Sequence, residues 1–419
     1  MPASRVVRIV AVAAAAGLAL TGCAISSDGG AADGRTTLTF WSYYSGTQAD
    51  WLEAQVAAFE KANPDVSIDI VQTVGDQQDQ KLLASVATGT TPDLFINNIV
   101  VDYPTLVAGG VTADLSDYWD AYGDADIYPE AAAWRTDDRV YNLLPFTNLI
   151  GLYANEDILG EVGIDEVPTT LDELDAALEA VEADGRHKGI ALSGAPSVEG
   201  AWLFAPQLLG LGVDYCGFEG AEVDAAFARI ERWAQSGSTP QATATWDQTD
   251  AWQQFATGDY AFGINGNWNL GNAAEVDFDW STSQYPAPAG GESIVYPGGE
   301  GFGIGAKSEH KDLAWQFIEQ AVLSPEAGEA IFEAAGSIPV RTDTAELPAI
   351  AENAAVQPFV RAAQTAGTWP NNENTASIQT ALGEAASSVY SGQTGAAQAS
   401  AAAIEDVAAA IEDGGGTCS

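Results

Sequence analysis

The stretches TTLTFWS (36–42), ADWLEAQVAAFEKANP (49–64), VSIDIVQ (66–72), QKLLASVATG (80–89) and LFIN (94–97) decide the fold of this chain. Leu38 and Phe40 alternate with threonines, the period of a half-buried strand. Leu52, Val56 and Phe59 recur at i, i+4 and i+7, one face of a helix, and Asn63-Pro64 stops it. Val66, Ile68 and Ile70 alternate with Ser67 and Asp69, giving a second strand. Gln80 to Ala87 reads as a helix ending at Gly89, and Leu94 to Ile96 as a short buried strand. Strand, helix, strand, helix, strand predicts an α/β lobe with a largely parallel sheet.

The middle of the chain repeats this logic. Ile150 to Tyr153 is strand-like. Thr170 and Glu173 form a capping box, and the helix it opens carries Leu171, Leu174, Leu178 and Val181 on one face. Val223, Phe227 and Ile230 mark another helix, and Tyr260 to Ile264 a strand entering a turn. Ser324-Pro325 reads as N-cap and first helical residue. Ile378, Leu382, Ala385 and Val389, then Ile404, Val407 and Ile411, predict two helices near the C-terminal end.

The first residues carry a different signal. Arg5 and Arg8 precede an apolar run from Ile9 to Leu20. A basic start, a short apolar stretch and small residues at the exit describe a secretory signal. The run is shorter than the roughly 20 residues needed to span a bilayer. Leu20-Thr21-Gly22-Cys23 resembles the lipobox of bacterial lipoproteins. That resemblance implies cleavage before Cys23 and acylation of its sulfur, anchoring the protein on the outer side of a membrane. Ala24 to Arg35 is small, polar and Gly-rich, the composition of a flexible tether.

The 419 residues are 47% apolar, enough for two lobes. The formal charge is −44, with 15 Lys and Arg against 59 Asp and Glu. Such a field repels nucleic acid and anionic membrane surfaces. Besides Cys23 the cysteines are Cys216 and Cys418; in an oxidising compartment they either pair or stay as two free thiols, and spacing does not choose.

Several ordered segments resemble one family: FEKANP (59–64), TPDL (91–94), LYANEDIL (152–159), FATGDYAF (255–262), NGNW (265–268), PGG (297–299), AWQFI (314–318) and SPE (324–326). They look like the extracellular solute-binding proteins of carbohydrate ABC importers, the maltose-binding-protein-like group. The resemblance implies a two-lobed α/β periplasmic-binding-protein fold of type II, with a hinge between the lobes. It implies residues 1–22 as signal peptide and 23–35 as lipidated tether. Residues 36–147 with 300–347 would form the first lobe, 148–299 with 348–413 the second, and 414–419 a loose tail. The chain would cross near 147–149, 298–301 and 345–350. No cofactor is implied. The implied partners are a sugar ligand and the transmembrane permease subunits, with the protein itself a monomer.

Sugars present weakly apolar C–H faces and a rim of hydroxyls, so their sites combine aromatic platforms with polar side chains. Trp268 matches the family position whose aromatic stacks on sugar; Trp202 and Trp369 stand where further platforms are expected. Residues beyond the ends of sheet strands line the crevice of α/β folds. Trp41, Ser42 and Tyr43 after the first strand qualify, as do Asn97, Asn98 and Asp102 after the third. Gly299 and Glu300 sit at the second crossing, where glycine lets backbone approach a ligand. Each of these positions also has an ordinary reading in packing or loop structure.

Two rival functions fit the residues. The acidity permits a polyamine or another cationic solute, and 59 acids leave room for the paired carboxylates of a glycan hydrolase. Other chemistries lack their signatures. Gly301 to Ala306 fits G-x-G-x-x-A, but Lys307 to His310 intervene before a helix, against a dinucleotide site. His187 and His310 have no partner at metal-ligand spacing, and no G-x-S-x-G elbow occurs.

Overall fold

The computed structural model describes residues 34–74, 77–99, 103–343, 346–367, 372–416 and 418. Cys23 and residues 1–33 lie outside these, as do Asp102 and Trp369.

The strands are β1 (Thr36–Ser42), β2 (Val66–Gln72), β3 (Leu94–Asn98), β4 (Ala133–Thr136), β5 (Arg139–Leu143) and β6 (Phe146–Thr147). They continue as β7 (Ile150–Asn155), β8 (Lys188–Ala191), β9 (Tyr260–Gly266), β10 (Trp280–Gln284), β11 (Glu300–Ile304) and β12 (Ile338–Pro339). In the first lobe they pair in the order β2-β1-β3-β11-β5-β4. Only two of the five strand pairings in this sheet are parallel, β1 to β2 and β1 to β3. The expected largely parallel sheet is corrected by β11, which arrives from the second lobe and inserts antiparallel between β3 and β5. The Gly301 to Ala306 stretch is thus mostly an interior strand, and the following helix starts only at Lys311. The second lobe has the sheet order β10-β7-β9-β8.

Alternation in β1 buries Leu38 and Phe40 completely, and the helix Gly46–Ala62 covers them with Trp51, Leu52, Val56 and Phe59. Each such side chain contributes roughly 1.5–3 kcal/mol by leaving water. Trp51 meets Phe146 edge-on at 5.4 Å, and Phe146 meets Phe302 at 5.8 Å. This aromatic run fixes the helix against the strands that leave the lobe. In the second lobe Thr170 caps the helix Leu171–Asp184 through the full capping box, and Tyr153 packs against Trp252, Phe255, Trp280 and Phe359.

Three segments run side by side where the lobes meet. Asn148 and Gly298 exchange two backbone hydrogen bonds, at 3.0 and 2.7 Å. On the other side, β6 pairs antiparallel with β12. Past β12, Arg341 is held in the first lobe by the Leu323 carbonyl, at 3.1 Å, and by Asp343. Ile350 lies in the core of the second lobe.

Two terminal expectations need correction. Arg35 is not free tether: its guanidinium donates to the Val66 carbonyl and pairs with Glu60 at 3.3 Å. Nor are residues 414–416 loose: Gly415 N–H donates to the Glu412 carbonyl and Gly416 N–H to that of Ile411. Cys418 is joined to Cys216 by a disulfide. Among the described residues no helix is long and apolar enough to cross a membrane.

Candidate solute cleft between the lobes

A cleft of about 990 Å³ opens between the lobes. The first lobe contributes Ser45, Thr47 and Gln48 from the start of its first helix, Asn98, and the end of the helix Pro325–Ala335. The second contributes Trp202, Gln248, Trp268, Asn272 and Gln379. Asn148, Gly298 and Gly299, from the crossings themselves, line it as well.

Trp268 sits where it does because a glycine precedes it by two residues. A Cβ built on Gly266 would lie 1.9 Å from the Trp268 ring, so the indole folds back over bare backbone. The Tyr153 hydroxyl donates to the Gly266 carbonyl at 2.7 Å and fixes the end of β9. The turn after β9 is then held by side-chain amides. Asn269 donates to Asn265 at 2.7 Å, and Asn272 donates to Asn269 at 2.8 Å. Asn267 spans the crossings: its amide donates to the Gly336 carbonyl at 2.7 Å, and its oxygen accepts from Leu149 N–H at 2.6 Å. Trp202 stacks on Trp268 with centroids 5.8 Å apart and planes 19° apart. Its indole N–H donates to the Tyr296 carbonyl at 3.0 Å.

Glu300 opens β11 directly opposite Asn98 on β3. The Tyr44 hydroxyl approaches its carboxylate at 3.5 Å. Burial pushes the Glu300 carboxyl up to about 7, with the Tyr44 hydroxyl opposing. The same burial, with the Glu300 charge, pushes the Tyr44 phenol well above its usual range. Gly299 adopts φ +124°, and its carbonyl accepts from Ile99 N–H at 3.4 Å; side chains rarely tolerate that backbone.

Asn98, Trp202, Trp268, Gly299 and Glu300, all expected from the sequence, thus come together in one cleft. Trp41, Ser42, Tyr43 and Asn97 are not among its lining residues. The reason for Trp41 and Ser42 is that β1 runs two residues further than its apolar pattern: both still pair with β2. Trp41 packs beside the cluster of Leu82 and Phe95, under the Lys81 ammonium at 4.1 Å. Ser42 is buried and accepts from Tyr44 N–H, and Tyr43 packs against the first-lobe core. Asn97 is a strand residue turned inward, accepting from Asn142 at 2.5 Å; alternation leaves Asn98 for the cleft.

Sequence reasoning missed Ser45, Thr47 and Gln48, three to six residues past Ser42. It also missed Asn148, which stands inside the first crossing segment, and Glu199, one helical turn before Trp202. Those spacings were usable signals. Gln379 and Asn353 had none, because only the fold brings them here. Glu199, Glu275, Glu300 and Glu333 line the cleft, and among the described residues no Lys, Arg or His does. The amides and hydroxyls both donate and accept hydrogen bonds while the carboxylates accept them. Together with indole faces, this lining suits polyhydroxylated or cationic solutes and disfavours anionic ones. Among the described residues no group of His, Cys, Asp and Glu is arranged to hold a metal.

A family model described as "Bacterial extracellular solute-binding protein" matches residues 54–358. An arabinooligosaccharide-binding protein of Halalkalibacterium halodurans is 23% identical over 340 residues, 77% of this chain and 75% of the relative. A putative binding protein of Brucella abortus is 28% identical over 183 residues; this match spans 43% of either protein's length. Among solved structures, the cyclic alpha-maltosyl-1,6-maltose binding protein of Arthrobacter globiformis superposes with a TM-score of 0.79 at 25% identity, covering 91% of this chain and 100% of that one. The GacH receptor of Streptomyces glaucescens, solved unliganded and with acarbose, superposes at 0.76 and 21% identity over 90% of this chain and 99% of that one.

Proposed function

The chain belongs to the bacterial extracellular solute-binding protein family, and on that premise we propose that it captures a neutral sugar or oligosaccharide between its lobes and delivers it to the permease of an ABC importer. The observation that carries the sugar reading is the cleft itself: two stacked indoles, Trp202 and Trp268, amid side-chain amides and carboxylates. Indoles cover the C–H faces of a pyranose or furanose ring, and amides match its hydroxyls in either sense. The named sugar-binding relatives support the same solute class.

In this reading the ligand bridges Asn98 and Glu300 on one side and Trp268 and Asn272 on the other. It favours the closed arrangement because only there does it touch both lobes. The protein is a receptor and not an enzyme, and works outside the cytoplasm. Acylation at Cys23 would hold it near its permease and raise the local concentration there. Radiolabelled fatty acid incorporated into wild type, and absent from a Cys23→Ala variant, supports the anchor; equal labelling of both removes it.

Titrating intrinsic tryptophan fluorescence with a panel of neutral oligosaccharides tests the solute class. Saturable quenching or enhancement by at least one sugar is the expected result, and silence across the panel overturns it. The base-free set of carboxylates favours a second reading, a cationic solute. Spermidine binding more tightly than every sugar would establish that reading instead.

A further inference from the structure

The cleft does not end at Trp268. A second cavity of about 690 Å³ adjoins it, and Glu199, Gln248, Trp268, Asn272 and Glu275 line both. Beyond this shared border, Trp252 and Phe278 supply apolar wall and Thr249, Gln253 and Thr257 supply hydroxyl and amide groups. Among the described residues no Lys, Arg or His lines it. Asp277 adds a carboxylate to those of Glu199 and Glu275, so the lining repeats the chemistry of the main cleft: aromatic surface with amides, hydroxyls and carboxylates. Every residue named belongs to the second lobe: on the helices Val198–Phe204 and Gln248–Phe255, in the turn that joins the latter to β9 (Thr257), or between β9 and β10.

We propose that this cavity is a second subsite, which receives the distal residues of a linear, uncharged oligosaccharide whose other end occupies the interlobe cleft. The proposal rests on the sugar reading above and names its length class. The main cleft alone already stands at the upper end of the roughly 300–1,000 Å³ typical of small-molecule pockets. The added chamber gives room that a mono- or disaccharide leaves empty. Because the chamber touches one lobe only, its occupant contributes affinity equally in the open and closed forms. Longer chains therefore bind more tightly without closing the protein further.

The test uses the full mature chain and ladders of linear α-1,4-glucan, α-1,5-arabinan and β-1,4-xylan oligosaccharides, from disaccharide to heptasaccharide, by isothermal titration calorimetry. Thr249 and Gln253 are exposed and line only the second cavity, so a Thr249→Ala/Gln253→Ala variant keeps the fold. In wild type, affinity for the bound ladder rises about tenfold over the few residues beyond the shortest oligomer held. The double variant loses that rise and retains wild-type affinity for the shortest oligomer. X-ray scattering gives the same radius of gyration with short and long ligands. Affinity flat with length, a rise that survives in the double variant, or closure that deepens with length each overturns the second subsite while leaving sugar capture intact. Failure of wild type to bind any ladder overturns this proposal, and the sugar reading falls with it only when the fluorescence panel of neutral oligosaccharides is silent too.

Discussion

Trp268 and Glu300, both expected at the crevice from the sequence, line the cleft, and a ligand contact at each is a proposal. Trp268 stood in a Gly-Asn-Trp turn after a strand, and the bare backbone of Gly266 is what lets its ring fold back. Trp268→Ala removes one face of the stacked indole pair. Sugar affinity should fall about ten- to hundredfold, as expected for losing an aromatic contact of order 1–3 kcal/mol; calorimetry checks this, and unchanged affinity removes the residue from the site. Glu300 makes a prediction about pH. Its carboxyl is raised from 4.5 to about 7 in the fold, so the folded protein holds this proton more tightly than the unfolded chain. Its stabilising contribution is present at low pH and is lost as pH rises from about 4.5 through about 7. Against Glu300→Gln, wild type should therefore lose melting temperature progressively over that interval and then run parallel. A pH-independent difference between the two would show that Glu300 is not shifted. Trp41, Ser42 and Asn97 show where reading fails at this scale. Strand ends are set by the partner strand, and β2 carries β1 two residues past its own apolar alternation.

At the level of elements, strongly patterned segments were read almost to the residue. The capping box at Thr170 and the Ser324-Pro325 start both occur as expected, with Ser324 accepting from Ala327 N–H at 3.2 Å. These signals are local, so one chain suffices to reveal them. The insertion of β11 between β3 and β5 was not legible, because its pairing depends on a segment about 200 residues away. The β4–β5 hairpin was missed too: its turn is Asp137-Asp138, both at positive φ, 51° and 64°. Glycine takes that conformation without the cost of roughly 1 kcal/mol or more that other residues bear. Asp138→Gly should therefore stabilise the first lobe by roughly 0.5–1 kcal/mol, measurable as a higher midpoint in urea. A lower midpoint would mean that the aspartate side chain compensates locally.

For the whole molecule, the two-lobed plan followed from the order of elements and from family likeness. The position of the cleft followed from the crossings, and its chemistry did not: acids without a base is a property of which faces meet. The Cys216–Cys418 bond links residues 202 apart within the second lobe's periphery, and cross-links of long loops commonly contribute about 2–4 kcal/mol. Reduction should lower the unfolding temperature, while a Cys216→Ser/Cys418→Ser variant should be indifferent to reductant; a melt unaffected by reductant in wild type would refute this. The same bond also bears on what a protease would leave behind. A single nick near Gly298, or after Arg341, would produce two fragments with Cys216 on one and Cys418 on the other. They would stay covalently joined, migrating together until reductant parts them. A nick near Thr147 leaves both cysteines on one fragment, and the shorter piece stays attached by non-covalent contacts alone, the strand pairing around β11 and the packing of Trp51, Phe59 and Tyr128 on the later helices of the first lobe. The later crossings are thus insured against cutting, and the first is not.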